Sequence, residues 1–215
     1  MTKQTMDEAA REIHRQCAIV ECKNLMGKVM YYGVAWLNRK MVELWSERDD
    51  CLLEMPWGIY DGRKGVERCY LQDFGDRNDP GKLEKLKGVM MLYTVDTPII
   101  EVAEDGQSAK GVWISSGADT WREGDAHPQG YWRWGKYAVE FLLEQGKWKI
   151  WRMRFYPFFL TKYDESWTKA PAYDWAFFPV TPDRPRETPV YHYDGVSVYP
   201  TGQPPIPTPY EHMEC

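Results

Sequence analysis

Alternation of apolar and polar positions is clearest between Gly130 and Phe155, where it predicts two long strands joined by the turn Glu144-Gln145-Gly146. One face of the incoming strand is expected to carry Tyr137, Val139, Phe141 and Leu143. On the outgoing strand, simple alternation groups Trp148 and Ile150 with Arg152 and Arg154, opposite Lys149, Trp151, Met153 and Phe155. Large rings occur on both faces. We therefore expect both to be covered, one by helices of the chain and the other by a partner subunit or the C-terminal part.

The part of the chain before this hairpin is helical first and β-rich later. The expected elements are, in order, helices at 7–32 and 38–48, a strand at 51–55, a turn at 56–62, a helix at 63–74, a loop at 73–87 and two strands around the turn Glu104-Asp105-Gly106. Helices at one end of the sequence and a run of antiparallel strands at the other predict an α+β fold with helices on one face of the sheet.

The last 60 residues differ from the rest. Residues 156–215 hold eleven of the fifteen prolines and, with Tyr156 counted, half of the fourteen tyrosines. So many prolines exclude regular helix and central strand, while a disordered linker would be poor in rings. We expect a domain at 1–155 and an extended, ordered arm at 156–215 that packs on the domain or on a neighbouring subunit.

Composition and charge exclude several function classes. The net charge of -5 argues against a nucleic-acid partner, because neutralising phosphates needs a basic surface. Five scattered cysteines suggest neither a disulfide framework nor a metal site. The polar N-terminus and the absence of a long apolar run predict no membrane partner and a protein of the reducing cytoplasm. Eleven tryptophans, fourteen tyrosines and seven phenylalanines predict a ring-lined core, pocket or interface.

Four sequence segments follow one another along the chain: MVELWSERDD, PWGIYDGRKGVE, TPIIEV followed by DG, and GKYAVEFLLEQGKWKIWR. Together with the order of elements, they resemble the SnoaL-like branch of the nuclear transport factor two-like superfamily over about 13–155. The resemblance implies a cone, in which a curved antiparallel sheet wraps around N-terminal helices and leaves an apolar pocket. It also implies proton transfer without a cofactor, as in the family's dehydratases, isomerases and cyclases.

The family's dehydratases use a helix Asp and strand His residues, and these positions fall here near Val34 and at 92–94, where neither residue type occurs. The second strand position falls near Asp119, and a hydrogen-bonding position on the final hairpin falls at Tyr137. The resemblance therefore implies a catalytic set of Tyr137, Asp119 and Tyr93. The pocket is expected to be lined also by Tyr32, Trp57, Trp113, Phe141 and His127.

Two functions remain open on these residues. The first is a cofactor-independent lyase or isomerase acting on a cyclic, largely apolar alcohol or ketone, such as an aromatic, polyketide or steroid-like compound. The second is a non-catalytic protein, either a ligand-binding protein or a structural subunit resembling the small subunit of ring-hydroxylating dioxygenases. Rings on both sheet faces, together with the arm, would expose too much apolar surface in a monomer, and the resemblance implies a homodimer or homotrimer that forms through the sheet.

Overall fold

The computed structural model describes residues 3–122, 127–169, 179–190, 193, 195–198 and 202–213. A long helix, α1 (Lys3–Val34), opens the chain, and a short one follows, α2 (Asn38–Val42). The next elements are β1 (Leu52–Met55), β2 (Gly58–Asp61), α3 (Gly62–Glu67), a π-helix (Arg68–Asp73) and α4 (Lys82–Lys85). The strands β3 (Met90–Tyr93), β4 (Asp96–Val102), β5 (Ser108–Trp121), β6 (Gln129–Glu144) and β7 (Lys147–Lys162) complete the sheet.

The seven strands form one sheet in the order β2-β1-β7-β6-β5-β3. Strand β4 also pairs with β5, along residues 109–114, whereas β3 pairs with residues 117–120. All pairs are antiparallel except β1 with β7. The helices come from the N-terminal part and the sheet is curved and does not close, so the predicted α+β cone is confirmed. The core lies between the inner face of this sheet and the helices, where Cys22 and Met26 of α1 and Trp45 are fully buried.

The hairpin of β6 and β7 ends in a tight turn in which both Gln145 (φ 50°) and Gly146 (φ 75°) have left-handed backbones, the conformation that matches strand twist. Its register shifts between Glu140, opposite Arg152, and Phe141, opposite Ile150. Trp151 is thus an extra residue, and a β-bulge reverses the alternation there. The simple alternation was wrong at this point: Ile150 and Met153 both point into the core, and Arg152 lies on the other face with Glu140.

Three local expectations differ from the structure. The second helix ends at Val42, because Trp45 forms a bridge with Ile150 and the Ser46 N–H donates to the Ile150 carbonyl at 2.8 Å. The expected turn at 56–62 contains an edge strand, β2. The segment expected to hold one strand before Glu104 holds two, β3 and β4, which pair with successive parts of β5. In each case pairing with a distant strand overrides the local preference.

The C-terminal arm begins later than expected, since β7 continues to Lys162. Its described parts lie on the same domain. Residues 179–190 run along the edge strand β2, where Ile59 forms a bridge with Arg184. Residues 202–213 reach the β4–β5 turn, where the Glu104 N–H donates to the Tyr210 carbonyl at 3.0 Å. Several of the arm's rings, including those at 173 and 175, lie outside the described residues.

Candidate active site

An apolar cavity of about 100 Å³ lies between α1, the π-helix and the inner face of the sheet. One side of it is an aromatic wall made of Trp36, Trp57, Phe74 and Trp121. The Phe74 ring centre lies 5.6 Å from that of Trp57 and 6.5 Å from that of Trp36, and Trp36 meets Trp121 edge-on at 6.4 Å. Met30 and Met41 on the helices, Leu53 on β1 and Leu160 on β7 add aliphatic surface. This lining suits a largely apolar ligand.

Four polar side chains line the same cavity and contact one another: Tyr93, Asp119, Arg133 and Tyr137. The Tyr93 hydroxyl donates a hydrogen bond to the Asp119 carboxylate. The Arg133 guanidinium lies 3.6 Å from the centre of the Tyr93 ring and 4.6 Å from that of Phe155. It also donates to the Tyr137 hydroxyl oxygen at 3.3 Å. We call these four residues the polar cluster.

Strand register brings the cluster together. Gly117 of β5 lies opposite Tyr93 on β3 and opposite Arg133 on β6, so these side chains form a row across the inner face. A β-carbon at Gly117 would lie 2.2 Å from the Tyr93 ring, so only glycine lets that ring lie flat on the sheet. The ring then reaches Asp119, two residues further along β5. The glycine is therefore what allows Tyr93 and Asp119 to meet.

We expect Gly117→Ala to lower the free energy of unfolding by about 1–3 kcal/mol, because the added methyl group must displace the Tyr93 ring. Gly27→Ala is the matched control. It lies within α1 with no atom within 4 Å of the added carbon, and should instead raise the free energy by about 0.5–1 kcal/mol. Urea unfolding measures both. Equal, small effects would contradict the close Tyr93 packing.

Burial controls the protonation of the cluster. Asp119 is 3 % exposed, and this burial raises its pKa above the ordinary carboxyl value, although the charge of Arg133 and hydrogen bonds from Tyr93 and Trp121 oppose the shift. Burial likewise keeps the pKa of Tyr93 well above its usual value, so its hydroxyl stays protonated. Arg133 is 5 % exposed, and its neighbours Tyr93, Tyr137 and Asp119 raise its pKa even though burial alone would lower it. The cluster thus holds one permanent cation and one carboxyl group that protonates easily.

The residues predicted from the sequence fall into two groups. Tyr137, Asp119, Tyr93 and Trp57 line the cavity together. Tyr32, Trp113, Phe141 and His127 are not among its lining residues. Trp113 and Phe141 share the inner face but pack edge-to-face at 6.1 Å nearer the β4–β5 turn, where the core is filled.

The other two residues lie away from the cavity for different reasons. Tyr32 packs beside α2, with the Lys40 ammonium 6.0 Å from its ring centre. His127 is exposed, and its ring nitrogen lies 3.2 Å from the Pro128 carbonyl. Within the described ranges, no group of three or more His, Cys, Asp or Glu residues is placed to hold a metal ion.

Sequence reasoning did not identify Arg133. The signal was present, because Arg133 alternates with Tyr131, Gly135 and Tyr137 on what becomes the inner face of β6. A charged residue on an otherwise apolar strand face marks either a pairing or a site. Trp36 and Trp121 were also missed, because both lie in predicted connections between elements, where no periodic pattern shows the direction of a side chain.

Comparison with known proteins agrees with this architecture. A model of the SnoaL-like domain matches residues 17–154. No curated protein sequence matches the chain. A hexachlorocyclohexane dehydrochlorinase, LinA type 3 from Novosphingobium barchaimii, is similar in structure, with 14 % identity, a TM-score of 0.56, and 72 % of this chain and 96 % of that one covered.

Two further solved structures are similar. For a putative scytalone dehydratase from Novosphingobium aromaticivorans, identity is 14 %, the TM-score is 0.52, and 69 % of this chain and 89 % of the other are covered. For a putative dehydratase of the NTF2-like family from Streptomyces avermitilis, identity is 13 % and the TM-score is 0.52, and 66 % of this chain and 97 % of the other are covered. At these identities the likeness shows the fold alone, whereas the family model covers more than half of the chain. The chain belongs to the SnoaL-like family.

Proposed function

We propose that this protein is a cofactor-independent lyase or isomerase that moves a proton on a small cyclic, largely apolar alcohol or ketone. The observation that carries the proposal is the polar cluster: a buried carboxyl group and a buried guanidinium line one apolar cavity. Such a pair supplies a base for a carbon-bound proton and a positive charge for the oxygen that becomes negative.

The directions of two hydrogen bonds support the roles proposed for these residues. Tyr93 donates to Asp119, so the carboxylate accepts the substrate proton either directly or through the Tyr93 hydroxyl, which passes its own proton on as it takes the new one. Arg133 donates to the Tyr137 oxygen, which leaves the Tyr137 hydrogen to donate to the substrate oxygen. In an isomerisation, Asp119 returns the proton to another carbon. In an elimination, the C–H electron pair forms the new double bond as the C–O bond breaks, and Tyr137 protonates the departing hydroxyl group to give water. Exchange with solvent then removes the proton from Asp119 and returns one to Tyr137.

The size and character of the cavity narrow the substrate class. The cavity of about 100 Å³ is smaller than the roughly 150 Å³ engineered cavity that holds benzene, which favours a compound of no more than one small ring. The aromatic wall favours a planar, apolar body. Dehydratase and dehydrochlorinase, the names of similarly folded proteins, both denote eliminations, which agrees with the proposed chemistry.

The pH dependence tests the role of Asp119. Since burial raises the pKa of Asp119, kcat/KM should rise with pH through an apparent pKa above the ordinary value of about 4 and level off once the carboxylate is ionised. Stability should change in the opposite direction. A carboxyl group with a raised pKa favours the folded state below its unfolded pKa, and that contribution is lost as pH rises through its folded pKa. Asp119→Asn should remove both dependences, and a wild-type profile that is flat across this range would contradict the role.

A non-catalytic, ligand-binding role is the second candidate. The members of the polar cluster already contact one another, as expected of a network that only fixes a core or holds a ligand. A stable complex with a larger oxygenase chain, purified from the native cell, would support the subunit form of this alternative. A homo-oligomer that turns over a one-ring ketone would exclude it.

We also propose that the protein is a homodimer or homotrimer that associates through the outer face of the sheet. That face carries a ring cluster of Trp132, Trp134, Phe159, Tyr163 and Trp167, with ring centres 5.3–5.8 Å apart. Leu92 lies in the same cross-strand row as Trp132, with Ala118 of β5 between them, and is 54 % exposed. Exposed apolar surface of this kind favours association.

Light scattering tests this association. The wild type should have the mass of two or three chains, and Leu92→Arg should lower it by placing a charge in the interface. Leu83→Arg is the matched control, because Leu83 is 57 % exposed on α4 and should leave the mass unchanged. A monomeric wild type would overturn the proposal.

A cytoplasmic location remains part of the proposal. Cys17, Cys22, Cys51 and Cys69 are free thiols, and burial raises the pKa of Cys51 to about 11, as expected of unreactive thiols in a reducing compartment. No helix in the described ranges has the length and apolar character needed to span a bilayer. Fractionation of the native cell would test the location, and recovery in an oxidising compartment would overturn it.

A further inference from the structure

We propose that the C-terminal arm positions the aromatic wall of the cavity, and that Thr181 does so through Asp73. Thr181 is far along the chain from every residue that lines the cavity. It nevertheless makes two hydrogen bonds to the last residue of the π-helix. The inference concerns residues 181–188 of the arm, which we call the arm clamp.

The contact between Thr181 and Asp73 uses both carboxylate oxygens. The Thr181 hydroxyl donates to Asp73 Oδ1 at 2.7 Å, and the Thr181 N–H donates to Oδ2 at 2.9 Å. The Tyr60 hydroxyl of β2 donates to the same Oδ2 at 2.6 Å. Arg68, at the start of the π-helix, donates to the Thr181 carbonyl at 3.1 Å. The arm therefore holds both ends of the π-helix.

The π-helix is directly connected to the cavity. Cys69 and Tyr70 within it line the cavity, and Phe74, the residue after Asp73, lies in the centre of the aromatic wall. Lys82 holds the other side of Phe74 by donating to its carbonyl oxygen. Because π-helical turns are rare, we expect the position of Phe74 to depend on what fixes the end of this turn. Asp73 is held there by Tyr60 and by Thr181, and Thr181 is the partner that binds both of its carboxylate oxygens.

The remainder of the arm clamp keeps Thr181 in place. Asp183 pairs with Arg68 at 2.5 Å, and Arg184 pairs with Asp61 through two hydrogen bonds of 2.6 and 3.0 Å. At its far end, the N–H and hydroxyl groups of Thr188 donate to the fully buried Glu54 carboxylate at 2.8 and 2.5 Å. Three independent contacts thus anchor the segment to β1, β2 and the π-helix.

Hydrogen–deuterium exchange of the full-length protein tests the clamp. In Thr181→Val, which keeps the shape and the backbone N–H, amides of residues 68–74 should exchange about tenfold faster, since a hydrogen bond to a charged acceptor is lost. Amides of β5 and β6 should exchange as in the wild type. Thr181→Ser keeps the hydroxyl group and should restore the slow exchange. Thr168→Val is the control, because Thr168 is in the arm and its hydrogen bonds within the described residues go to the nearby Ser166.

Each outcome decides the proposal. Faster exchange confined to 68–74 in Thr181→Val, with rescue by serine, supports it. Unchanged exchange in 68–74, an equal effect in Thr181→Ser, or faster exchange throughout the sheet overturns it, because the last would mean a general stabilising role. The measurement needs no substrate, so its failure is distinct from a failure of the proposed reaction.

Discussion

The Asp119→Asn variant should lose about a thousandfold in kcat/KM towards any ketone or alcohol that the wild type turns over, within the usual range of about 10²–10⁴ for a general base. The amide cannot accept the substrate proton, and it cannot take a proton from the Tyr93 hydroxyl either. The fold should persist, since the amide has nearly the same shape and burial already favours the neutral form of the carboxyl group.

Two further variants serve as comparisons for Asp119→Asn. Asp49→Asn is the matched control, because Asp49 is exposed and does not line the cavity, so its activity should equal that of the wild type. Tyr137→Phe should lower kcat/KM by less than Asp119→Asn does, because the Arg133 charge still stabilises the substrate oxygen when the Tyr137 hydroxyl group is absent. Full activity in both Asp119→Asn and Tyr137→Phe would remove the polar cluster from the reaction.

Glu54→Ala should lower the free energy of unfolding by about 3–5 kcal/mol, the usual cost of removing one partner of a buried ion pair. Glu54 is completely buried on the outer side of β1 under the arm. It accepts hydrogen bonds from Glu187 and Thr188 N–H groups, and the Arg154 and Arg186 guanidinium groups lie 3.5 and 3.7 Å from it. Without the carboxylate, the two N–H groups lose this acceptor. Arg154 and Arg186 lose a buried negative charge, although Glu140 and the Phe155 carbonyl remain near them.

Urea unfolding with a tryptophan signal measures the effect. Glu187→Ala is the matched control from the same contact, because the Glu187 side chain is 63 % exposed and its ion pair with Arg184 should be worth less than about 1 kcal/mol. If Glu54→Ala were as mild as Glu187→Ala, the arm would not be an integral part of the domain.

Much of the fold was predictable because the sheet is encoded by period-two alternation over long strands. β6 spans 16 residues, and the face that carries Tyr137, Val139 and Phe141 could be assigned from alternation, whereas on β7 the same assignment failed at Trp151. The bulge at Trp151 was not predicted, because the phase shift that it causes, from Trp148 and Ile150 to Met153 and Phe155, has a meaning only once one face is known to form the core. The edge strand β2 was not predicted either, because it is formed by pairing with β1 and with the arm and not by a preference of its local sequence.

The candidate site was predictable only in part. Tyr93, Asp119 and Tyr137 followed from the family resemblance, and the structure places them on one cavity. Trp113 lies on the same inner face but does not line the cavity. Which end of that face is left open depends on how α1 and the buried rings pack inside the sheet, and the sequence does not show this. Arg133 was overlooked because the role of a charged residue on a buried strand can be inferred only when the side chains beside it on neighbouring strands are known.

Proton exchange at carbon tests the central claim most directly. The metal-free protein would be incubated in D₂O with a panel of one-ring ketones, from cyclohexanone to 2-cyclohexenone, and deuterium uptake beside the carbonyl group followed by proton NMR. The account predicts uptake above the buffer rate for at least one ketone, its loss by at least about a hundredfold in Asp119→Asn, and full retention in Asp49→Asn. No uptake above buffer with any ketone, or equal uptake in Asp119→Asn and the wild type, would contradict it.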